Sequence, residues 1–213
     1  LDPASAVAKM ITENSNNQNS VRPRDFKSNH AIQIRLQSEF KNSYNGVFYY
    51  EIKRGEIPGN GDVISNEAAG LYLMAFDLKE PWATHRKYEV FEDKHSAIFG
   101  RPEVTADRIV LCNIIIREIE RRLDKLDNQL FAKHVITRYM MLFAIREYFA
   151  GDTTFDDYIK RPGTVMRNKT HREEFAKCVG SFIDEIVIDL NMDSKDWGED
   201  FDYRDKLRDQ KWV

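Results

Sequence analysis

The chain has 213 residues, 42% of them hydrophobic and 31% charged, with a formal net charge of −3. That length supports one large core, or a core with a small satellite, and the near-balanced charge excludes a global field that would gather nucleic acid or anionic lipid. No apolar run approaches the roughly 20 residues that span a bilayer, so no membrane partner is expected.

In chain order, Asp2-Pro3 supplies an N-cap followed by proline at the first helical position, and predicts a short helix from Pro3 to about Thr12. A loop rich in carboxamides follows, with Asn14, Asn16, Asn17, Gln18 and Asn19 ahead of Arg22-Pro23-Arg24-Asp25. Asn competes for backbone hydrogen bonds, so such a run marks a turn. Asn29 is the expected cap of a second helix whose inner face carries Ile32, Leu36 and Phe40. The β-branched and aromatic stretch GVFYYEIK, between Asn45-Gly46 and the Gly- and Pro-rich RGEIPGNGD, predicts a strand with room for a short partner. Ser65 is placed to start another helix, NEAAGLYLMAFDLK, which stops before Pro81.

The strongest periodicity lies in TADRIVLCNIIIREIERRLDKLD, where Ile109, Cys112, Ile116, Ile119, Leu123 and Leu126 alternate spacings of three and four. Thr105 is its expected cap. A second long helix is expected from Gln129 to Ala150, burying Phe131, Val135, Tyr139, Leu142 and Phe149 and ended by Gly151. The short Asp127-Asn128 connection would make these two antiparallel neighbours. A third, from about Thr170 to Leu190, should bury Phe175, Val179, Phe182, Ile183, Ile186 and Leu190. Cys112 and Cys178 fall inside these apolar patterns and are expected to be free, buried and reduced, as in a cytoplasmic protein. The expected fold is mainly α: a helical domain with long antiparallel helices and a minor β-strand or hairpin element. Residues 1–62 are read as a unit holding the carboxamide loop, a helix and the β element, and residues 63–213 as the helical domain.

Charge is uneven along the chain. From Val21 to Arg54, seven basic residues face three acidic ones, a net of +4, whereas Asp184 to Asp209 carries ten acidic against four basic, a net of −6. A solvated face is the plainer explanation, but the 21–54 segment is the better candidate for an anionic partner such as nucleic acid. Glu51 and Lys53 sit two apart on the predicted strand and would share a side. With Asp25 they could form a metal-dependent nuclease site, although an exposed or salt-linked strand face is the simpler reading. Glu92-x-x-His95 lacks the second copy that a di-metal site needs and reads as surface. Arg167 with His171 resembles a ribonuclease pair only loosely, because Thr170 is expected to cap a helix there. There is no His-Glu-x-x-His, phosphate-cradling Gly loop, nucleophile elbow or zinc spacing. No cofactor and no metal is expected.

A resemblance adds to this. ITENSNNQNSVRPRDFKSNHAIQIRLQSEF followed by YYEIKRGE resembles the abortive infection phage resistance family of bacterial defence proteins. The shared positions are Asn16, Gln18, Asn19, Val21, Asp25, Gln33, Tyr49, Tyr50, Glu51, Lys53 and Gly55, and PWATHRKYEVFEDKHSAIF and FDYRDKLRDQKW resemble its later helical region. The Asn-Asn-Gly-Ile-Thr and Val-Asn-Gly-x-Gln-Thr type motifs of the family's upstream half do not occur. The resemblance therefore implies that this chain, which opens at Leu1 without methionine, is the carboxy-terminal part of a longer polypeptide. It also implies an interaction or regulatory region without independent catalysis, partnered by the upstream half. Asn16, Gln18, Asn19, Arg24, Asp25, Lys53 and Arg54 are its expected binding surface. The alternative is a fragment of a metal-dependent nucleic-acid-processing enzyme that uses Asp25, Glu51 and Lys53.

Overall fold

The computed structural model describes residues 27, 29–53, 55–56, 62–151, 153–193 and 195. The expected helix over 3–12, the carboxamide loop and the segment beyond 195 lie outside the described residues. The first described helix, α1 (Ala31–Tyr44), buries Leu36, Phe40 and Tyr44 at every fourth position; of the expected Ile32, Leu36 and Phe40, Ile32 is only half-buried. Its cap is His30 rather than Asn29: the His30 backbone is extended and its Nδ1 accepts the Ile32 N–H at 3.3 Å. Strand β1 (Phe48–Glu51) turns Phe48 and Tyr50 inward, where Tyr50 stacks on Phe40 at 5.2 Å between ring centroids. Gly46, at φ +80°, makes the turn between the two elements.

The partner strand β2 (Asp62–Ser65) pairs with β1 in parallel, from Phe48 opposite Asp62 to Glu51 opposite Ser65. The β element is therefore not a hairpin. Ile52 leaves β1 inward at 4% exposure, and its carbonyl accepts from the Nδ2 of fully buried Asn66 at 3.2 Å. That bond ties the end of β1 to the start of the next helix. Ser65 caps this helix, α2 (Asn66–Phe76), as its sequence predicts, with its Oγ accepting the Ala68 N–H at 3.1 Å. Gly70 allows a close approach, since a Cβ there would stand 2.2 Å from Val90 Cγ1.

Two 3₁₀ turns, Pro81–His85 and Lys87–Val90, lead to the short α3 (His95–Phe99). The central element is α4 (Ala106–Glu120), capped by Thr105 as expected. The predicted seam of Ile109, Cys112, Ile116 and Ile119 is buried, but so are Val110, Leu111, Ile114 and Ile115 on the other sides. A helix apolar all round belongs in the middle, and α1 and α2 both pack against it. It ends at Glu120, short of the expected seam that runs to Leu126, and the chain closes through a 3₁₀ turn, Leu123–Lys125, that returns Leu126 to the core.

The continuous helix expected over 129–150 is two: α5 (Gln129–Lys133), capped by Asn128, and α6 (Thr137–Tyr148). The break has a local cause. A continuing helix would offer the Phe131 carbonyl to the N–H of residue 135, but the His134 N–H and the Thr137 hydroxyl occupy it instead, at 3.1 and 2.6 Å. Gly151 then ends the run at φ +92°, as expected. Beyond it come α7 (Thr153–Lys160), α8 (Gly163–Met166) and α9 (Lys169–Asp193). Asn168 rather than Thr170 closes the start of α9, its Oδ1 accepting the His171 N–H at 3.1 Å. Helix α9 packs on α4 through Phe175, Val179, Ile183 and Val187, while Phe182, Ile186 and Leu190 are only partly covered. One hydrophobic cluster runs from Leu36 to Val187. The protein is mainly α with a minor two-stranded element. Among the described residues, no helix is long and apolar enough to cross a membrane.

The expectation for the cysteines holds in part. Both are free, and Cys112 is fully buried, but Cys178 is exposed. Residue 178 is one step of about 100° away from the inward line of Phe175 and Val179, which sequence spacing alone did not resolve. Burial pushes the Cys112 thiol far above its ordinary range. In the native protein, a thiol reagent should therefore label one cysteine quickly, and Cys178→Ser should abolish that labelling. Two fast thiols would contradict the packing of α4.

Candidate functional site

Two of the signature residues within the described part of the chain, Gln33 and Tyr50, meet at the packing of α1, β1 and α3. Gln33, in the first turn of α1, is 0% exposed. Its Oε1 accepts from the Tyr50 hydroxyl at 2.6 Å, and its Nε2 lies 3.4 Å from His95 Nε2. Because the amide oxygen is taken by Tyr50, the amide nitrogen donates and His95 Nε2 accepts. The neutral ring then carries its proton on Nδ1, an atom without a hydrogen-bond partner among the described residues. Phe99, at 5.2 Å between centroids, and His30, edge-on at 4.8 Å, complete the surroundings of the ring. Burial, then the charges of His30 and Lys27, lower the His95 pKa to about 4.

Glu51 and Lys53 do not sit as the strand pattern predicts. The strand ends at Glu51, and Ile52 and Lys53 lie in a bend, so the two-residue alternation stops before Lys53. Glu51 Oε1 accepts the Gly55 N–H at 2.7 Å, with Gly55 at φ +71°, and the Lys53 N–H donates to Glu56 at 3.0 Å. These carboxylates close a turn, and the Lys53 side chain points outward from it, exposed. Asn16, Gln18, Asn19, Arg24, Asp25 and Arg54 lie outside the described residues, so the proposed joining of Asp25 with Glu51 and Lys53 is not on view. Among the described residues, no group of three or more His, Cys, Asp or Glu is placed to hold a metal ion.

Beside this turn, α1 and β1 leave an open groove of about 500 Å³, walled by Ile34, Gln37, Ser38, Lys41, Asn45 and Tyr49 above Phe40 and Phe48. Ile34 is 52% exposed at its rim. Apolar floor and polar rim together make a surface suited to an extended protein segment.

Two clusters escape sequence reasoning. The first is His95, expected on the surface with Glu92; Glu92 is exposed but His95 is 1% exposed. The signal was there in Ile98 and Phe99, which put His95 on the apolar face of its helix. The second is Asp107, 7% exposed, which takes the Tyr44 hydroxyl at 2.5 Å and a two-pronged contact from Arg167 Nε and Nη2 at 3.0 and 2.8 Å. Burial first, and then Asp107, raise the Tyr44 hydroxyl pKa well beyond its ordinary value. Arg167 is thus committed to Asp107, while the His171 ring nitrogen Nδ1 lies 3.4 Å from the Thr164 carbonyl.

A family model described as AIPR protein matches residues 2–187, most of the chain. No curated protein and no solved structure matches.

Proposed function

The chain belongs to the AIPR family, whose role is phage resistance by abortive infection, and we propose that it serves that role as an interaction module without catalysis of its own. One observation carries this reading: the family-like Gln33 and Tyr50, at 0% and 1% exposure, are bonded to each other inside the core. Side chains tied together in a core shape a surface; they are not presented to a substrate. Glu51 likewise closes its own turn. The groove over Phe40 and Phe48 is the surface so shaped, and its occupant in this reading is the upstream part of the same polypeptide. The basic 21–54 segment would then lie beside that contact, with nucleic acid as its alternative partner.

Two measurements test this. The isolated chain, incubated with DNA or RNA and Mg²⁺ or Mn²⁺, should cleave neither. In the full-length protein, Ile34→Asp with Lys41→Glu should leave the melting temperature within a few degrees and remove phage protection, because both side chains are exposed at the groove. Cleavage that Glu51→Ala abolishes would instead establish the nuclease reading with Asp25, Glu51 and Lys53. Protection that survives the groove variant would move the contact elsewhere.

A further inference from the structure

A second cleft, of about 540 Å³, opens between the start of α4 and the junction of α7 with α8. Its walls carry Arg108, Lys160, Arg161 and Arg167 against Glu103 and Asp107, four cations to two carboxylates. Asp107 is held by Tyr44 and Arg167, a pairing that offsets one of the four cations as well as its own charge. We propose that this cleft binds a phosphate-class oxyanion, a site that does not depend on the interaction reading above.

The arginines are prepared for it in different ways. Arg167 is fixed by Asp107 through Nε and Nη2, yet its side chain is 60% exposed, so Nη1 and one edge of the fork remain turned to solvent. Gly163 makes that anchoring fit: a Cβ there would stand 2.7 Å from Asp107 Oδ2 and 3.3 Å from Arg167 Nε. Arg161 reaches the same cleft at 68% side-chain exposure, with Asp157 as its ion-pair partner among the described residues. Arg108 borders the cleft differently: its side chain is 6% exposed, and its guanidinium lies 5.7 Å from the centre of the Phe76 ring with Nη1 3.6 Å from the Asp77 carboxylate, so it adds charge to the wall while Arg161 and Arg167 present the donors.

The side chains, not the helix end, make the site. The Ala106 and Arg108 N–H groups of the first turn of α4 are already taken by Glu39 and Thr105. Guanidinium forks match the paired oxygens of a phosphate, which makes this anion class the fitting occupant. The same chemistry has two sources, the phosphodiester backbone of nucleic acid and a free phosphate group such as a nucleotide carries.

The test uses the whole chain, inorganic phosphate and a fluorescently labelled single-stranded oligonucleotide. Phosphate should raise the melting temperature above a chloride control of matched ionic strength, and the double variant Arg161→Gln/Arg167→Gln should lose that gain. Lys177→Gln, outside the cleft, should keep it. Oligonucleotide affinity, if the backbone is the source, should fall about tenfold or more in the double variant with a shallower salt dependence, and phosphate should compete. Phosphate binding without oligonucleotide binding identifies the free group and supports the site equally. Binding of neither probe, or binding indifferent to the double variant while it remains folded, overturns the proposal.

Discussion

Gln33→Ala should lower the stability of the chain by about 3 kcal/mol, roughly a third of what a domain this size commonly has. Three effects combine. The Tyr50 hydroxyl loses the Gln33 Oε1 acceptor and His95 Nε2 loses the Gln33 Nε2 donor in a region that water does not reach, since Tyr50 and His95 are each 1% exposed. A buried polar atom left unpaired costs about 1–3 kcal/mol. Truncating a fully buried side chain also leaves a cavity between α1 and α3. Chemical denaturation reads the change as a lower midpoint at unchanged slope. Gln33→Leu with Tyr50→Phe is the informative companion. It keeps volume and removes both the acceptor and the hydroxyl, so it should recover part of the loss; a double variant as unstable as the sum of its single changes would show that the contact carries no coupling. A change under about 0.5 kcal/mol in Gln33→Ala would mean that water enters the site, contrary to its burial.

Acid should weaken the fold through His95 by a similar amount. The ring titrates near its ordinary 6.5 when unfolded but only at about 4 when folded. Between those values the unfolded chain binds the extra proton, so stability rises with pH there. It is complete above about 6.5 and is lost progressively as pH falls toward 4. A tenfold change in proton affinity corresponds to about 1.4 kcal/mol, so the full contribution is roughly 3 kcal/mol. Carboxylates add their own acid sensitivity at lower pH, so the diagnostic is the slope between pH 6.5 and 5, which His95→Gln should flatten. The variant also keeps a polar partner for Gln33 and remains foldable. An unchanged slope would overturn the assignment of this acid sensitivity to His95.

Local rules account for what was readable without the fold. The Ser65 and Thr105 caps need only a hydroxyl three residues ahead of an N–H, and both are found in that role. The apolar stripes of α1 and α9 follow from helical spacing, and the Leu36, Phe40, Phe175 and Val179 predictions rest on nothing else. The break at His134 was not readable, because it depends on whether the Thr137 hydroxyl takes a backbone carbonyl. Periodicity cannot see that competition. The exposure of Cys178 was missed for a related reason: two neighbouring positions on a helix differ by only part of a turn, and the direction of the core decides between them.

The candidate sites depended on contacts that spacing cannot express. Gln33 and His95 are 62 positions apart, and Asp107 and Arg167 are 60. By itself the sequence determined the helical class, the Ser65 and Thr105 caps, the inner residues of the α1 and α9 stripes and the family resemblance in its first quarter, because each of these is set by residues within a few positions of one another. Whether a polar residue at such a position is a ligand, a core bond or a surface charge was decided only when α3 closed on α1 and α8 on α4. A polar side chain acquires its role from the partner that replaces its water, and that partner came from a distant part of the chain.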